Sequence, residues 1–204
     1  FLGFGYQLLK GLKVGVDTHY NFGNITNTSI AFGYNDQGEM LQYQSRDDRR
    51  SDLGGFSFNF GVILDQKISE SLDLTASFTY TPQSEISSKN KNQFSTIAID
   101  ANQVEFVQST YEIDLQAINL DNTNLVLPSK ISFGAGIGKP RKWFLGFDYT
   151  LLEASKFSNR FVEIENSTFE DASSVSIGGF FIPKYDSFSS YWKRIVFRTG
   201  FRFE

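Results

Sequence analysis

The sequence predicts an all-β chain: a transmembrane, antiparallel, up-and-down β-barrel of which at least eight strands are visible, part of a larger barrel. Three observations predict it. Segments of about ten residues alternate apolar and polar side chains with a period of two, the spacing of a strand whose two faces meet different surroundings. The 204 residues include 22 Phe, 9 Tyr and 2 Trp beside 17 Gly, with one Met and no Cys; aromatics favour strands, and Gly suits turns and crowded barrel interiors. The connections between segments alternate between very short and long.

The clearest segment runs from Leu12 to Phe22. Leu12, Val14, Val16, Thr18, Tyr20 and Phe22 form one face, and Lys13, Gly15, Asp17, His19, Asn21 and Gly23 the other. A core helix would need spacings of three and four, which are absent. The pattern returns in Leu72–Tyr80, in Trp143–Leu151 and in Ile195–Phe203. Each has a preceding partner: Leu2-Phe4-Tyr6-Leu8, Phe56-Phe58-Phe60-Val62-Leu64, Ile131-Phe133-Ala135-Ile137 and Val175-Ile177-Gly179-Phe181. The chain thus reads as four hairpins, a loose internal repeat in which Leu12–Asp17 resembles Trp143–Asp148.

Within these hairpins the turns are short: Lys10-Gly11, Asp65–Ser71 and Lys139–Lys142, with Pro183–Arg194 intermediate. Between hairpins lie long polar stretches, roughly 24–55, 82–128 and 153–174. Short turns at one rim and long loops at the other describe an outer-membrane barrel with its short turns in the periplasm. Phe94–Asp100 and Val104–Leu115 have the composition to continue as strands above the membrane, while Ser45–Asp52, rich in Arg and Asp, reads as a solvated loop tip. Leu12 to Tyr20 covers roughly 26 Å at about 3.3 Å per residue, close to one crossing. On this placement Tyr20, Tyr80 and Tyr149 fall near the outer interface, and Trp143, Tyr191 and Trp192 near the periplasmic one.

Composition bounds the rest. No run of 18 apolar residues exists, so no transmembrane helix is expected. A net charge of −4 argues against nucleic acid as a partner. Without Cys there is no disulfide scaffold or thiolate metal site, and neither cofactor nor metal is expected. The chain opens directly in strand-like Phe1-Leu2-Gly3-Phe4, without a signal peptide, as a processed or partial chain would. The rival fold is a soluble β-sandwich or lipocalin-like barrel. Against it, the non-apolar faces are rich in Gly and Ser rather than densely charged, and the apolar faces are unusually aromatic.

Several residues invite chemistry. His19, the single histidine, lies on the polar face two residues from Asp17; a hydrolase would need a nucleophile and an orienting acid converging on it, and no serine motif singles itself out. Gly134–Lys139 imitates a phosphate loop, but Phe133 holds the first glycine position and Pro140 follows the lysine. Asp17, His19, Asp73, Asp148, Arg198 and Arg202 map to the lumenal face. They form either a polar wall meeting an amphipathic substrate, with Arg198 or Arg202 on its carboxylate, or a set of mutual ion pairs, the reading preferred here. Phe144, Ile63, Leu152 and Phe180 are apolar residues on otherwise polar faces, lining a hydrophobic pocket or packing against a plug. Asn24-Ile25-Thr26, Asn27-Thr28-Ser29 and Asn166-Ser167-Thr168 are formal glycosylation sequons, read as chance matches in loops.

Leu127-Pro128-Ser129-Lys130-Ile131-Ser132-Phe133-Gly134, then Lys142-Trp143-Phe144-Leu145-Gly146-Phe147-Asp148-Tyr149 and Phe157-Ser158, then Gly178–Pro183 and Tyr191–Arg194 resemble the FadL/TodX family of outer-membrane transporters. The resemblance implies a barrel of about fourteen strands with an N-terminal hatch, of which this chain carries an internal piece spanning residues 1–204, ending on Phe201-Arg202-Phe203-Glu204. It implies no ligand-contacting residue here, because those on the hatch have no counterpart. It further implies passive uptake of fatty acids or other hydrophobic molecules in the outer membrane of a Gram-negative bacterium, with membrane lipid and that small molecule as partners and no enzyme activity. The alternatives are a structural or adaptor barrel docked on a larger outer-membrane complex, such as a secretion assembly, and a lipid hydrolase.

Overall fold

The structure is a computed structural model that describes residues 1–100, 102–161 and 168–204. Among these the chain forms one antiparallel sheet of twelve strands and no α-helix. The strands are β1 (Leu2–Leu9), β2 (Leu12–Ala31), β3 (Gln44–Ser69), β4 (Leu72–Thr81), β5 (Ser84–Ile99), β6 (Glu105–Glu112), β7 (Asn122–Leu127), β8 (Lys130–Lys139), β9 (Trp143–Leu152), β10 (Ser158–Asn159), β11 (Ala172–Phe181) and β12 (Phe197–Phe203). No helix is long and apolar enough to cross a membrane.

Strands β1-β2-β3-β4-β8-β9-β11-β12 lie side by side in chain order. The four expected hairpins are all present: β1 on β2, β3 on β4, β8 on β9 and β11 on β12. Gly11 (φ 87°) and Arg141 (φ 59°) turn two of them in the left-handed region. The final strand starts at Phe197 rather than Ile195, because Tyr191–Arg194 forms a 3-10 turn that carries Ile195 past the ladder. The sheet is open: among the described residues β1 pairs only with β2, and β12 only with β11.

Register makes the alternation collective. Val14, Val62, Phe78, Phe133, Tyr149, Val175 and Phe203 follow one another across the sheet, and Val16, Phe60, Tyr80, Ile131 and Leu151 form the neighbouring row. One face of all eight strands is therefore a continuous aromatic and aliphatic band. Its large side chains are exposed, including Phe4, Phe58, Phe78, Phe133, Ile177 and Phe201.

Beyond the band the sheet continues as a second region. β2 has 20 residues and β3 has 26, about 60 and 80 Å at some 3.3 Å per residue, twice what one crossing needs. This corrects the reading of 24–55 as loop: Ser45–Asp52 is β3, paired along its whole length with β2 and β5. Its charges pair two residues apart along the strand, Arg46 on Asp48 (2.8 Å) and Arg50 on Asp52 (2.9 Å) on one face and Arg49 on Asp47 (2.9 Å) on the other, so a charged run sits in a strand with opposite charges side by side. Likewise Asn24 and Asn27 of the sequons lie in β2, not in a loop, while Asn166 lies outside the described residues.

The stretch 82–128 is also mostly strand. β4 passes into β5 at Pro82, and β7 into β8 at Pro128. Proline cannot donate to a ladder, so each run breaks there. Phe60 faces Tyr80, whereas Gly54 faces Ser87; one extra residue is absorbed at the break, and side-chain parity inverts. Even-numbered residues of β4 belong to the band, but even-numbered residues of β5 turn to the opposite face, where Ile86 meets Gly55 and is 2% exposed. That region, here called the extension, holds nearly all of the buried core: Ile86, Ile97, Leu115, Leu125 and Phe161 with Ser51, Ser88, Asn90, Asn92 and Thr123.

Candidate functional site

The face opposite the band carries the residues singled out from the sequence. Register arranges them in rows. Lys67, Asp73, Gly138, Phe144, Phe180 and Arg198 form one, and Lys13, Ile63, Ser77, Gly134, Asp148, Ser176 and Arg202 another. Between them runs a row floored by Gly136, Gly146, Gly178 and Gly200, beginning at Asp65 and Thr75.

Phe144 explains two of these glycines. A Cβ on Gly136 would stand 2.2 Å from the Phe144 ring, and one on Gly146 would stand 2.9 Å from it. The ring lies over bare backbone, covering ladder that has no side chains of its own. Phe180 stacks beside it with ring centroids 6.1 Å apart. Next to this pair is a hollow of about 350 Å³ bounded by Thr75, Ser77, Gly134, Phe144, Asp148 and Ser176.

Of the four apolar residues expected on this face, the structure brings Phe144 and Phe180 together and keeps the others apart. Ile63 is three strands from Phe144, about 14 Å at some 4.8 Å per strand. Leu152 is eight residues further along β9, roughly 26 Å. They do not share one pocket.

The expected mutual ion pairs do not form among the described residues. Asp17 accepts a hydrogen bond from Asn59 (3.1 Å), and Asn59 accepts one from Thr81 (3.0 Å). Asp148 accepts from Thr150 (3.4 Å). Arg202 pairs with Glu204 (2.6 Å), both widely exposed. The physical reason is spacing: Asp148 and Arg202 share a row but are separated by β11, roughly 10 Å. Sequence reasoning missed the ion pair that does form here, Lys13 with Asp65 (3.0 Å), with Thr75 donating to the same carboxylate (3.0 Å). His19 stacks on Phe1 (5.7 Å). Ser57, opposite it, accepts instead from Asn21 (2.9 Å). No group of three His, Cys, Asp or Glu converges among the described residues.

Tyr80 and Tyr149 stand near the ends of β4 and β9 that face the extension, and Tyr20 lies beyond them against Phe56 (5.0 Å). Trp143 begins β9 at the opposite end. Trp192 and Tyr191 lie in the 3-10 turn between β11 and β12, also at that end, with Arg194 over the Tyr191 ring.

The extension is organised by Asn90. Its Oδ1 accepts from Ser51 (2.8 Å) and Ser88 (2.7 Å), and its Nδ2 donates to the Leu120 carbonyl and to Thr123 (both 2.8 Å). All four valences of a buried amide are filled. Sequence offered no signal for it, since Ser84–Asn92 is polar at nearly every position. Arg46 bonds Glu105 (2.9 Å), which pushes its pKa above the usual guanidinium range. Asp171 accepts from the Ser155 hydroxyl (2.5 Å) and backbone N–H (3.0 Å), which hold its carboxyl below the usual range.

Searches of curated proteins and of solved structures give no match. The sequence model of the BamG family matches residues 1–204. This overturns the resemblance to FadL/TodX, a distinct family, and with it the expectation of FadL-like lipid transport. The segments that suggested it, Lys130–Gly134 and Lys142–Tyr149, carry the alternation that any antiparallel strand with one apolar and one Gly/Ser face adopts. Matched along its whole length, with an all-β antiparallel sheet to go with it, the chain belongs to the BamG family, a family associated with bacterial outer-membrane assembly.

Proposed function

We propose that this chain is a structural subunit of an outer-membrane protein-assembly complex, held in the bilayer by its aromatic band and closed laterally into a barrel by further strands. The band is the observation that carries this reading. The band's exposed large side chains, running from Phe4 through Phe58, Phe60, Phe78, Phe133 and Phe147 to Phe201, exceed what a water-soluble surface tolerates as one contiguous patch. On a sheet they are the expected solution for lipid contact, provided every edge is paired. Tyr80 and Tyr149 at one end, and Trp143 and Trp192 at the other, then serve as interfacial anchors. The short turns face the periplasm, and the extension stands outside. In this reading no bond is made or broken, and the Gly-floored face with Phe144 and Phe180 is a packed wall rather than a passage.

The test is extraction from native membranes in mild detergent. A stoichiometric complex containing the assembly machinery is expected, and depletion of this chain should lower the level of other outer-membrane barrels. Recovery of the chain alone, with unchanged barrel levels, would overturn the proposal.

A further inference from the structure

The end of the sheet that carries the short turns also carries unpaired positive charge. Lys139, Arg141 and Lys142 lie at the β8–β9 turn, and Lys184, Lys193 and Arg194 on the β11–β12 connection, with Asp186 as the one acid in these two stretches. All six cations are exposed. The chain as a whole has a net charge of −4, so the surplus is local. Elsewhere cations find carboxylates: Lys13 on Asp65, Arg46 on Asp48, Arg49 on Asp47 and Arg50 on Asp52. None of the six at this end is in an ion pair among the described residues.

The fold gathers these charges from two stretches distant in sequence. The Ile182 N–H donates to the Lys142 carbonyl (2.7 Å), and the Lys184 N–H to the Lys193 carbonyl (2.7 Å). Ile182 and Ser187 are buried, so the β11–β12 connection is seated on the sheet. The β8–β9 turn is closed by the Lys142 N–H on the Lys139 carbonyl (3.0 Å), with Pro140 second and Arg141 third at φ 59°. That third position favours glycine, so the arginine stands there against the backbone preference. Its guanidinium lies over the Tyr185 ring (5.3 Å to the centroid), and that of Arg194 over Tyr191 (6.0 Å). Such contacts hold a cation in place and leave its charge unneutralised. Like charges gathered without a counter-charge repel one another, and an anion among them relieves it.

We propose that the corner formed by Lys139, Arg141, Lys142, Lys184, Lys193 and Arg194 binds anionic phospholipid headgroups of the periplasmic leaflet. The inference rests on the reading above that the band faces lipid with its short turns in the periplasm, and it names the lipid. Position selects lipid over an acidic polypeptide. Lys139, Trp143, Phe181 and Phe197 are register partners in one row at the end of the band, so the cations border the apolar face. Tyr191 and Trp192, 70% and 74% exposed, stand among them, as aromatic rings do at headgroup level. Lys and Arg stems lie along apolar surface with their charged ends at the interface, where clustered cations attract anionic lipid.

The test uses the full-length protein reconstituted in vesicles of equal parts phosphatidylglycerol and phosphatidylcholine, with the lipids it retains counted by native mass spectrometry. Phosphatidylglycerol should be retained about fivefold over phosphatidylcholine. Lys142→Gln/Lys184→Gln/Lys193→Gln should bring the two lipids close to parity. Lys142→Arg/Lys184→Arg/Lys193→Arg keeps the charge at the same positions and should hold the parental ratio. Lys89→Gln/Lys91→Gln/Lys156→Gln removes as much charge elsewhere in the chain and should hold it too. Equal retention of both lipids by the parent overturns the inference and leaves the membrane reading standing, as does a parental ratio in the first variant or a lost ratio in either of the others. A parent that does not enter the vesicles fails the membrane reading itself, and the inference falls with it. In the complex drawn from native membranes, the first variant should keep every partner of the parent. Loss of a partner there, with the lipid ratio unchanged, assigns the corner to a protein and overturns the inference.

Discussion

The band and the extension are built from the same strands and solve opposite problems. In the band, the apolar set points outward and stays exposed: Phe201 at one end of the sheet keeps 67% of its surface open. In the extension, Ile86 points the other way and is closed off, 2% exposed. The switch happens at Pro82 and Pro128, which absorb a residue and invert parity in neighbouring strands at the same level. The difference teaches that alternation alone does not say which face is the inside. Where the surroundings are lipid, the apolar face is the outside, and where they are water it must be covered by protein.

The comparison breaks most visibly in the band. Phe78→Arg places a charge between Val62 and Phe133. If lipid covers this face, it should cost about 2–4 kcal/mol and deplete the chain from the outer membrane, read as the heat-modifiable fraction. If water covers it, the change should be nearly neutral. In the extension, Asn90→Leu strands the Leu120 carbonyl, Thr123, Ser51 and Ser88 in a dry interior. A loss of about 3 kcal/mol is expected, seen as faster amide exchange in β5 with the band unaffected. A band that loosens with it would show the two regions to be one cooperative unit.

On the polar face, Gly136→Ala forces its new methyl into the Phe144 ring and should cost about 1–3 kcal/mol. Phe144→Ala removes the obstacle, so the double variant should be more stable than the sum of the singles, by urea unfolding. Additivity would mean that the ring does not lie where the structure places it. The smallest effect concerns pH. Asp171 has a depressed pKa in the folded state, so the Ser155–Asp171 contact contributes stability above the unfolded carboxylate pKa of about 3.9 and loses it as pH falls through the lower folded value. Exchange at the Ser155 amide, corrected for its intrinsic rate, should rise across that acid window in the parent and be pH-flat in Asp171→Asn, which has no carboxyl to titrate.

The four hairpins were legible because their two faces differ sharply in chemistry: Leu12–Tyr20 cannot be read in another period. The extension was not legible, because in Ser45–Asp52 and Ser84–Asn92 both faces are polar, and a strand without contrast looks like a loop. The candidate site was half legible. Parity placed Phe144, Phe180, Asp148 and Arg202 on one face, but parity carries no information about strand spacing. It therefore suggested a shared pocket with Ile63 and Leu152, and ion pairs between groups that β11 holds apart. The family resemblance failed for a related reason, since period-two strands with glycine on one side are common to unrelated barrels.

Sequence by itself determined the strands of the band, their order as successive hairpins and the face each residue occupies, because these follow from period-two chemistry and short turns acting between neighbours in the chain. Tertiary structure alone decided the inversion at the prolines, the Asn90 core of the extension, and the seat of Phe144 over Gly136 and Gly146. Each of these depends on register between distant segments, which local pattern does not encode.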